Sequence, residues 1–324
     1  MLAFNSSFGS AFTFLNDRER DIYSKGKAHG LFKTVGASRT VQLNMSYHDL
    51  LSNAENDNIE EHAGFQYLRR SDDDIVRLRA ILTERTWIGF DLDDILHEFR
   101  RSSGVATNRV FAEISRRHGT PISALEDEYS KVLKLKMANA FSDGKTSFEY
   151  RRERFASVLS HFSLPQDDQF ISNLLELYEA NLMASLELKS GALDLLSFIK
   201  DTGKKIVVIT EGPQDAQERA IRGLGIDGFI DFLATNNYFG VTKTDGLFPR
   251  VLEHLCITSC DIVYIGDNEE RDMKPALAEG IFPIHLAEME HVSFNTVPPI
   301  ISTLRELQYI LSNDRCPSPS RPST

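Results

Sequence analysis

Residues 87–95 have the sequence WIGFDLDDI, in which a short apolar run ends abruptly in carboxylates. The apolar part is typical of a buried β-strand. Side chains two apart on an extended segment point the same way, so Asp91 and Asp93 should project together beyond the end of that strand. In a parallel α/β sheet, ligands bind in the crevice outside the carboxyl ends of the strands. The stretch therefore predicts a parallel sheet with a binding site at Asp91.

Asp91 and Asp93 would hold two like charges close together. One of the two would take up a proton unless a cation lies between them. A small site with oxygen ligands indicates Mg²⁺. Taken alone, the segment is explained equally well as a helix start capped by Asp93 or Asp94, because acidic residues are common there. The other motifs of the chain decide between these interpretations.

Two more apolar runs, residues 205–209 and 261–265, are typical of buried strands and end in polar residues. A lysine lies between them, just before a predicted helix. The further candidate site residues are, in chain order, Thr210, Glu211, Gly212, Lys243, Asp267 and Asp272. The motifs thus present carboxylates, a hydroxyl, a lysine and carboxylates again, in that order. This combination is far more specific than any one of the motifs alone.

This order resembles the haloacid dehalogenase-like superfamily of phosphohydrolases. Its four motifs are an Asp-x-Asp strand end, a Thr or Ser strand end, a Lys, and a Gly-Asp-x-x-x-x-Asp strand end. The resemblance covers roughly residues 86–312. One position departs from it, because Ile95 stands where the family usually has Thr or Val. Ile95 retains the β-branched shape but has no hydroxyl. Its presence could therefore affect the orientation of the loop after Asp93.

The resemblance implies a covalent mechanism. Asp91 would attack phosphorus and form an aspartyl-phosphate, which splits one difficult displacement into two easier ones. Asp93 would protonate the leaving alkoxide and then remove a proton from the attacking water. The dehalogenating branch of the family lacks this second carboxylate, because a halide leaving group needs no proton. The presence of Asp93 therefore favours phosphoryl transfer.

The resemblance also implies residues that bind the substrate. Thr210, together with Glu211 and Gly212 in the turn that follows, would bind the transferring phosphoryl group. Lys243 would neutralise charge on that group and on Asp91, since phosphoryl transfer depends mainly on positioning and electrostatics. The alternatives are a strand-end threonine that caps a helix and a solvated loop lysine.

The implied metal is Mg²⁺, the one cofactor that we expect. Asp267 would join Asp91 and the backbone carbonyl of Asp93 as ligands. Asp272 would complete this set or orient Lys243 from behind it. Ordinary surface ion pairs are the alternative for Asp267 and Asp272.

More than a hundred residues between the first two motifs are predicted to be helical. Residues 105–118 form one of these helices, and Thr146 to Glu149 form a capping box that opens another. The insert matches the family subclass with a helical cap between motifs one and two. Arg151, in the capping-box helix, is a candidate for binding an anionic substrate, although a charge run on a helix is usually a solvated face.

The predicted fold is α/β, with a Rossmann-like parallel-sheet core and an inserted α-helical bundle as the cap domain. The core comprises residues 69–97 and 188–312, and the cap residues 98–187. Residues 1–68 form a poorly defined N-terminal extension, and residues 313–324, rich in Pro and Ser, a disordered tail. Within the core, we expect the last helix to cover residues 300–311.

Composition narrows the classes of function. The chain has 324 residues and a net charge of −11 without a basic block, which argues against a nucleic-acid partner. Its three cysteines lack metal-ligand spacing and are typical of a reduced, intracellular protein. No apolar stretch approaches the ~20 residues needed to span a bilayer. We expect a cytoplasmic protein with a small phosphorylated substrate and no membrane partner, and leave a homodimer open.

These features predict a Mg²⁺-dependent phosphatase that hydrolyses a small-molecule phosphate ester. Three alternatives stay open. A phosphomutase or an enzyme that processes isoprenoid-type (di)phosphates would use the same site. A non-catalytic binding protein of the same fold would be favoured if a motif carboxylate or Lys243 were missing, and none is.

Overall fold

The computed structural model describes residues 72–136, 141–288 and 292–312. The predicted N-terminal extension, residues 1–68, and the predicted disordered tail, residues 313–324, lie outside the described residues. Both stay predictions.

A single parallel sheet forms the centre of the core. Its strands are β1 (Trp87–Phe90), β2 (Lys205–Thr210), β3 (Phe232–Thr235), β4 (Ile262–Gly266), β5 (Phe282–Leu286) and β6 (Ile300–Ile301). The six strands lie in the order β3-β2-β1-β4-β5-β6, and every neighbouring pair is parallel. The strand order reverses where β1 lies beside β4, and ligands bind at such a switch point in doubly wound sheets. This confirms the predicted fold class.

Helices precede the sheet, cover both of its faces and form the insert. They are α1 (Asp72–Glu84), α2 (Phe99–His118), α3 (Ile122–Lys136), α4 (Ser147–His161), α5 (Asp168–Ala184), α6 (Ala192–Asp201), α7 (Gln214–Gly223), α8 (Asn236–Phe239), α9 (Leu247–Leu255), α10 (Lys274–Ala278) and α11 (Leu304–Leu311). Among these described helices, none combines the length and apolar character needed to cross a membrane.

The strands are apolar throughout because both faces of the sheet are covered. Alternate residues of β2 point to opposite sides. Val208 packs in a cluster with residues of α1, α6 and α11, whereas Val207 packs in a second cluster with residues of α9 and α10. Gly89 in β1 has no side chain because a Cβ there would lie 3.1 Å from the Tyr264 ring. Burial on both faces explains the continuous hydrophobic runs.

Helices α2 to α5, inserted between β1 and β2, have an apolar cluster of their own that includes Phe111, Phe155 and Leu174. The predicted capping box opens α4: Thr146 accepts from the Glu149 N–H, and the Glu149 side chain accepts from the Thr146 N–H. The structure thus has an inserted helical bundle beside the α/β core. The exact domain boundaries stay a prediction.

The chain leaves the core and returns to it side by side. The Glu98 N–H donates to the Glu187 carbonyl at 2.9 Å, and His97 forms an antiparallel bridge with Leu188. A short two-stranded connection therefore joins the bundle to the sheet. We refer to these paired segments, residues 97–98 and 187–188, as the linker pair.

Two predicted helix boundaries are wrong. The helix predicted over residues 105–118 begins six residues earlier, at Phe99, because the first turn directly follows the linker pair. The single helix predicted over residues 300–311 is divided into β6 and α11, and Thr303 caps α11 by accepting from the Glu306 N–H. A two-residue strand is too short for its alternation to be recognised in a sequence.

Helix α1 should contribute to the stability of the core. Leu82 is fully buried and Val76 is 59 % exposed on the same helix. We expect Leu82→Ala to lower the free energy of unfolding by about 2–5 kcal/mol through lost burial and a residual cavity. Val76→Ala should change it by less than about 0.5 kcal/mol. Urea unfolding of both variants measures the difference, and equal effects would exclude α1 from the core.

Candidate active site

The predicted acidic residues meet where β1 and β4 end. Asp91 continues the pairing of these strands, because its N–H donates to the Ile265 carbonyl at 2.9 Å. Asp91, Asp267 and Asp272 each offer a carboxylate oxygen, and these oxygens lie within 4.8 Å of one another. This oxygen-only donor set suits a small, hard cation such as Mg²⁺.

Lys243 is buried beside these carboxylates. Its Nζ lies 2.5 Å from Asp272 Oδ1 and 3.1 Å from Asp91 Oδ1. Asp272 is fully buried and also accepts from the Tyr264 hydroxyl at 3.0 Å and from the Asn268 N–H at 3.1 Å. Since a buried charge needs a partner and hydrogen bonds, Asp272 holds the ammonium group in place.

The cluster changes the pKa values of its members. Burial raises the pKa of Asp91 to about 7, Lys243 opposes this shift, and the charges of Asp272 and Asp93 add to it. Burial would lower the pKa of Lys243, but the neighbouring carboxylates of Asp272 and Asp91 outweigh it and raise the pKa above its ordinary value. Lys243 is therefore a fixed positive charge, and Asp91 can be ionised or protonated near neutral pH.

The side chain of Asp93 has hydrogen-bond partners of its own. Its Oδ1 lies 2.9 Å from His97 Nε2, and its Oδ2 accepts from Gln217 Nε2 at 3.3 Å. The three clustered carboxylates do not include it. The predicted binding of one metal by the Asp91 and Asp93 side chains stays a prediction. A contribution of the Asp93 backbone carbonyl to the metal site stays a prediction.

The loop after β2 has two of its polar groups engaged within the protein. Glu211 accepts from the Lys243 N–H at 2.9 Å. The Gly212 N–H donates to Asn236 Oδ1 at 2.9 Å, and a Cβ on Gly212 would lie 2.3 Å from the Gln217 amide. Glu211 and Gly212 thus fix the loop geometry in this structure. Their predicted binding of substrate, like that of buried Thr210 at the end of β2, stays a prediction.

Arg151 faces the crevice between the helical bundle and the core. It forms an ion pair with Glu179 in α5, and its guanidinium carbon lies 4.5 Å from the centre of the Tyr178 ring. Arg219 in α7 pairs with the same Glu179 at 2.7 Å. A cavity of about 20 Å³, room for about one water molecule, is lined by Arg151, Glu179 and Arg219 together with Asp93. Arg151 is therefore a paired side chain, and its contact with substrate stays a prediction.

Three residues of the site were not singled out from the sequence: Gln217, Asn236 and Tyr264. Gln217 is buried and lies one turn before Ile221 on the apolar face of α7. A polar residue on that face was the available signal. Asn236 directly follows the end of β3. Nothing in the sequence indicated a role for Tyr264, because an aromatic residue is common in a buried strand.

Comparison with known proteins agrees with this fold. The sequence profile of haloacid dehalogenase-like hydrolases matches residues 88–285, more than half of the chain. The matched span contains all of the candidate site residues, from Asp91 to Asp272. The chain belongs to the haloacid dehalogenase-like hydrolase family and is an enzyme of the hydrolase class.

Individual relatives are distant. Glyceraldehyde 3-phosphate phosphatase from Methanocaldococcus jannaschii is 24 % identical, covering 69 % of this chain and 96 % of that protein. The HAD hydrolase YfnB from Bacillus subtilis, solved with bound magnesium, has a TM-score of 0.57 and 20 % identity over 70 % of this chain and 99 % of that one. The 2-haloacid dehalogenase from Pseudomonas syringae has a TM-score of 0.54 and 19 % identity over 70 % and 98 %. These solved structures share the fold.

Gly266 should be required for the position of Asp272. A Cβ at Gly266 would lie 2.6 Å from Asp272 Cγ. We expect Gly266→Ala to displace this carboxylate from Lys243 and to lower the free energy of unfolding by about 1–3 kcal/mol, the usual cost of overpacking. Gly104→Ala is the control, because a Cβ there meets nothing within 4 Å in α2 and should stabilise the helix by up to about 1 kcal/mol. Urea unfolding compares the two, and similar values would contradict the tight packing at Gly266.

Proposed function

We propose that this protein is a Mg²⁺-dependent phosphatase that hydrolyses a small-molecule phosphate ester through an aspartyl-phosphate on Asp91. The observation that carries the proposal is the position of Asp91, 3.1 Å from a buried lysine, with the separately held carboxylate of Asp93 two residues further on. The name of the M. jannaschii relative, a phosphatase for a three-carbon ester, supports a phosphoric monoester as substrate.

The reaction would use the two aspartates in turn. An Asp91 oxygen would attack phosphorus while the ester oxygen leaves with a proton from Asp93. Asp93, now ionised, would take a proton from water, whose oxygen attacks the aspartyl-phosphate and releases inorganic phosphate. Asp91 and protonated Asp93 would be restored. Lys243 and the Thr210 hydroxyl would offset the charge on the phosphoryl oxygens.

Mg²⁺ would be held by oxygens of Asp91 and Asp267 and by the backbone carbonyl of Asp93. The close set of carboxylate oxygens fits this ion. When bound, Mg²⁺ supplies neutralisation of phosphoryl charge. Asp272 would mainly orient Lys243, because both of its oxygens already have donors within the protein. The magnesium bound to YfnB supports the choice of metal.

The arrangement of Asp91, Asp93 and Lys243 favours a phosphatase over a dehalogenase and over a silent binding protein. A dehalogenase shares the fold, yet a halide departs without a proton. A dehalogenase would therefore not need the Asp93 carboxylate as a general acid. Intact motif carboxylates and Lys243 favour an enzyme over a silent binding protein.

Replacement of the nucleophile should abolish turnover. Asp91→Asn keeps the shape and removes the attacking oxygen, so phosphate release should fall by at least ~10³-fold. A panel of sugar, nucleotide, amino-acid and lipid phosphates with Mg²⁺ identifies the ester to be used. Asp201→Asn, at an exposed helix end, is the matched control and should keep its activity. Beryllium fluoride should bind the parent and not Asp91→Asn. Substantial activity of Asp91→Asn would exclude the covalent mechanism.

Mg²⁺ binding should depend on pH. Burial raises the pKa of Asp91 to about 7. Because this folded-state value exceeds the unfolded one, ionisation of Asp91 destabilises the metal-free protein as pH rises through about 7. Mg²⁺ needs the ionised carboxylate, so millimolar Mg²⁺ should raise the Tm more at about pH 8 than at about pH 6. Asp267→Asn should remove the shift and Asp201→Asn should keep it. The site would be wrong if Asp267→Asn retained the full shift.

A further inference from the structure

Two buried donors hold the side chain of Asp93, one on each carboxylate oxygen. His97 Nε2 lies 2.9 Å from Oδ1, and Gln217 Nε2 lies 3.3 Å from Oδ2. His97 is fully buried and Gln217 is 5 % exposed. An ionised carboxylate only accepts hydrogen bonds, so in the step where Asp93 acts as the base, His97 Nε2 carries the proton and donates to Oδ1. The shorter of the two contacts makes His97 the principal restraint on this carboxylate.

His97 is fixed in turn by the linker pair. Its backbone forms bridges with Asp93 in the loop after β1 and with Leu188 on the returning segment of the linker pair. Its ring packs edge-on against Phe99, the first residue of α2, with 5.9 Å between the ring centres. The imidazole therefore belongs to the connection between the bundle and the core, whereas the carboxylate that it holds belongs to the catalytic loop.

Without the contact with His97, the carboxylate of Asp93 would be attracted to a second position, near Lys243. The positive charge of Lys243 lies against neighbouring Asp91, and an unrestrained carboxylate is drawn towards a buried cation. A proton donor must instead remain within hydrogen-bond reach of the ester oxygen. A side chain with two donors and little freedom meets this requirement.

We infer that His97 is a positioning residue that holds the Asp93 carboxylate in the orientation for proton transfer to the leaving group and ties that orientation to the linker pair. The inference rests on the proposed phosphatase activity, in which Asp93 is the acid and the base. His97 itself does not touch the reacting atoms in this scheme. Its effect should therefore depend on how much the leaving group needs a proton.

Two replacements separate the hydrogen bond of His97 from its packing. His97→Phe keeps a ring beside Phe99 and removes the donor. His97→Gln retains an amide N–H that can reach the carboxylate. His118→Phe is a control for loss of a partly buried histidine in a helix, because His118 packs on Phe170 within the bundle. His97→Leu replaces His97→Phe if the latter does not fold.

The experiment measures kcat/KM for phosphate esters whose leaving groups range from aryl alcohols to alkyl alcohols. For an aryl ester the leaving group departs with little help, and for an alkyl ester it needs the proton of Asp93. General acid catalysis contributes about 10²–10⁴-fold, and partial loss of orientation removes part of it. We expect His97→Phe to lose about ten- to a hundredfold on the alkyl esters and less than about threefold on the aryl esters.

Two control variants distinguish loss of the His97 hydrogen bond from a general effect of replacing a histidine. His97→Gln should restore most of the alkyl-ester activity, and His118→Phe should follow the parent across the series. Equal losses on aryl and alkyl esters, or no rescue by His97→Gln, would overturn the positioning role and leave the phosphatase standing. A parent that releases phosphate from no ester would overturn the proposed function and this inference with it.

Discussion

The buried ammonium group of Lys243 is the interaction on which the site depends. It lies against Asp272 and Asp91, two carboxylates that would otherwise repel each other in a place with little water. Breaking a buried ion pair costs about 3–5 kcal/mol, because one charge is left without compensation. Two residues of β4 support the ion pair between Lys243 and Asp272. Tyr264 donates a hydrogen bond to Asp272, and Gly266 leaves room for the Asp272 carboxylate.

The carboxylates of the site are divided into two groups with different surroundings. Asp91 and Asp267 lie in the acidic cluster at the end of β1 and β4, beside Lys243, where the proposed Mg²⁺ would further balance their charge. Asp93 is held by His97 and Gln217. A nucleophile must be ionised and a general acid must carry a proton, so neighbouring residues of one loop need different surroundings.

The sequence predicted the parts of this structure that repeat a simple pattern. The runs that end at Asp91 and Thr210 identified buried strands, and the order of polar residues after them pointed to the candidate site. Partners that come from tertiary packing were not predictable in this way. Gln217 reaches Asp93 across 124 positions of sequence, and no local pattern encodes that distance. The direction of the Asp93 side chain depends on such partners, which is why its contacts with His97 and Gln217 could not be predicted from the loop sequence alone.

The linker pair has a consequence for the order of folding. Strands β1 and β2 are neighbours in the sheet, yet more than a hundred residues separate Trp87 from its partner Lys205. Closing so long a loop slows folding when the intervening chain is unstructured. A bundle that folds on its local helix contacts, with its two ends adjacent, turns this long closure into a short one. The insert would then act as a template that brings β1 and β2 together.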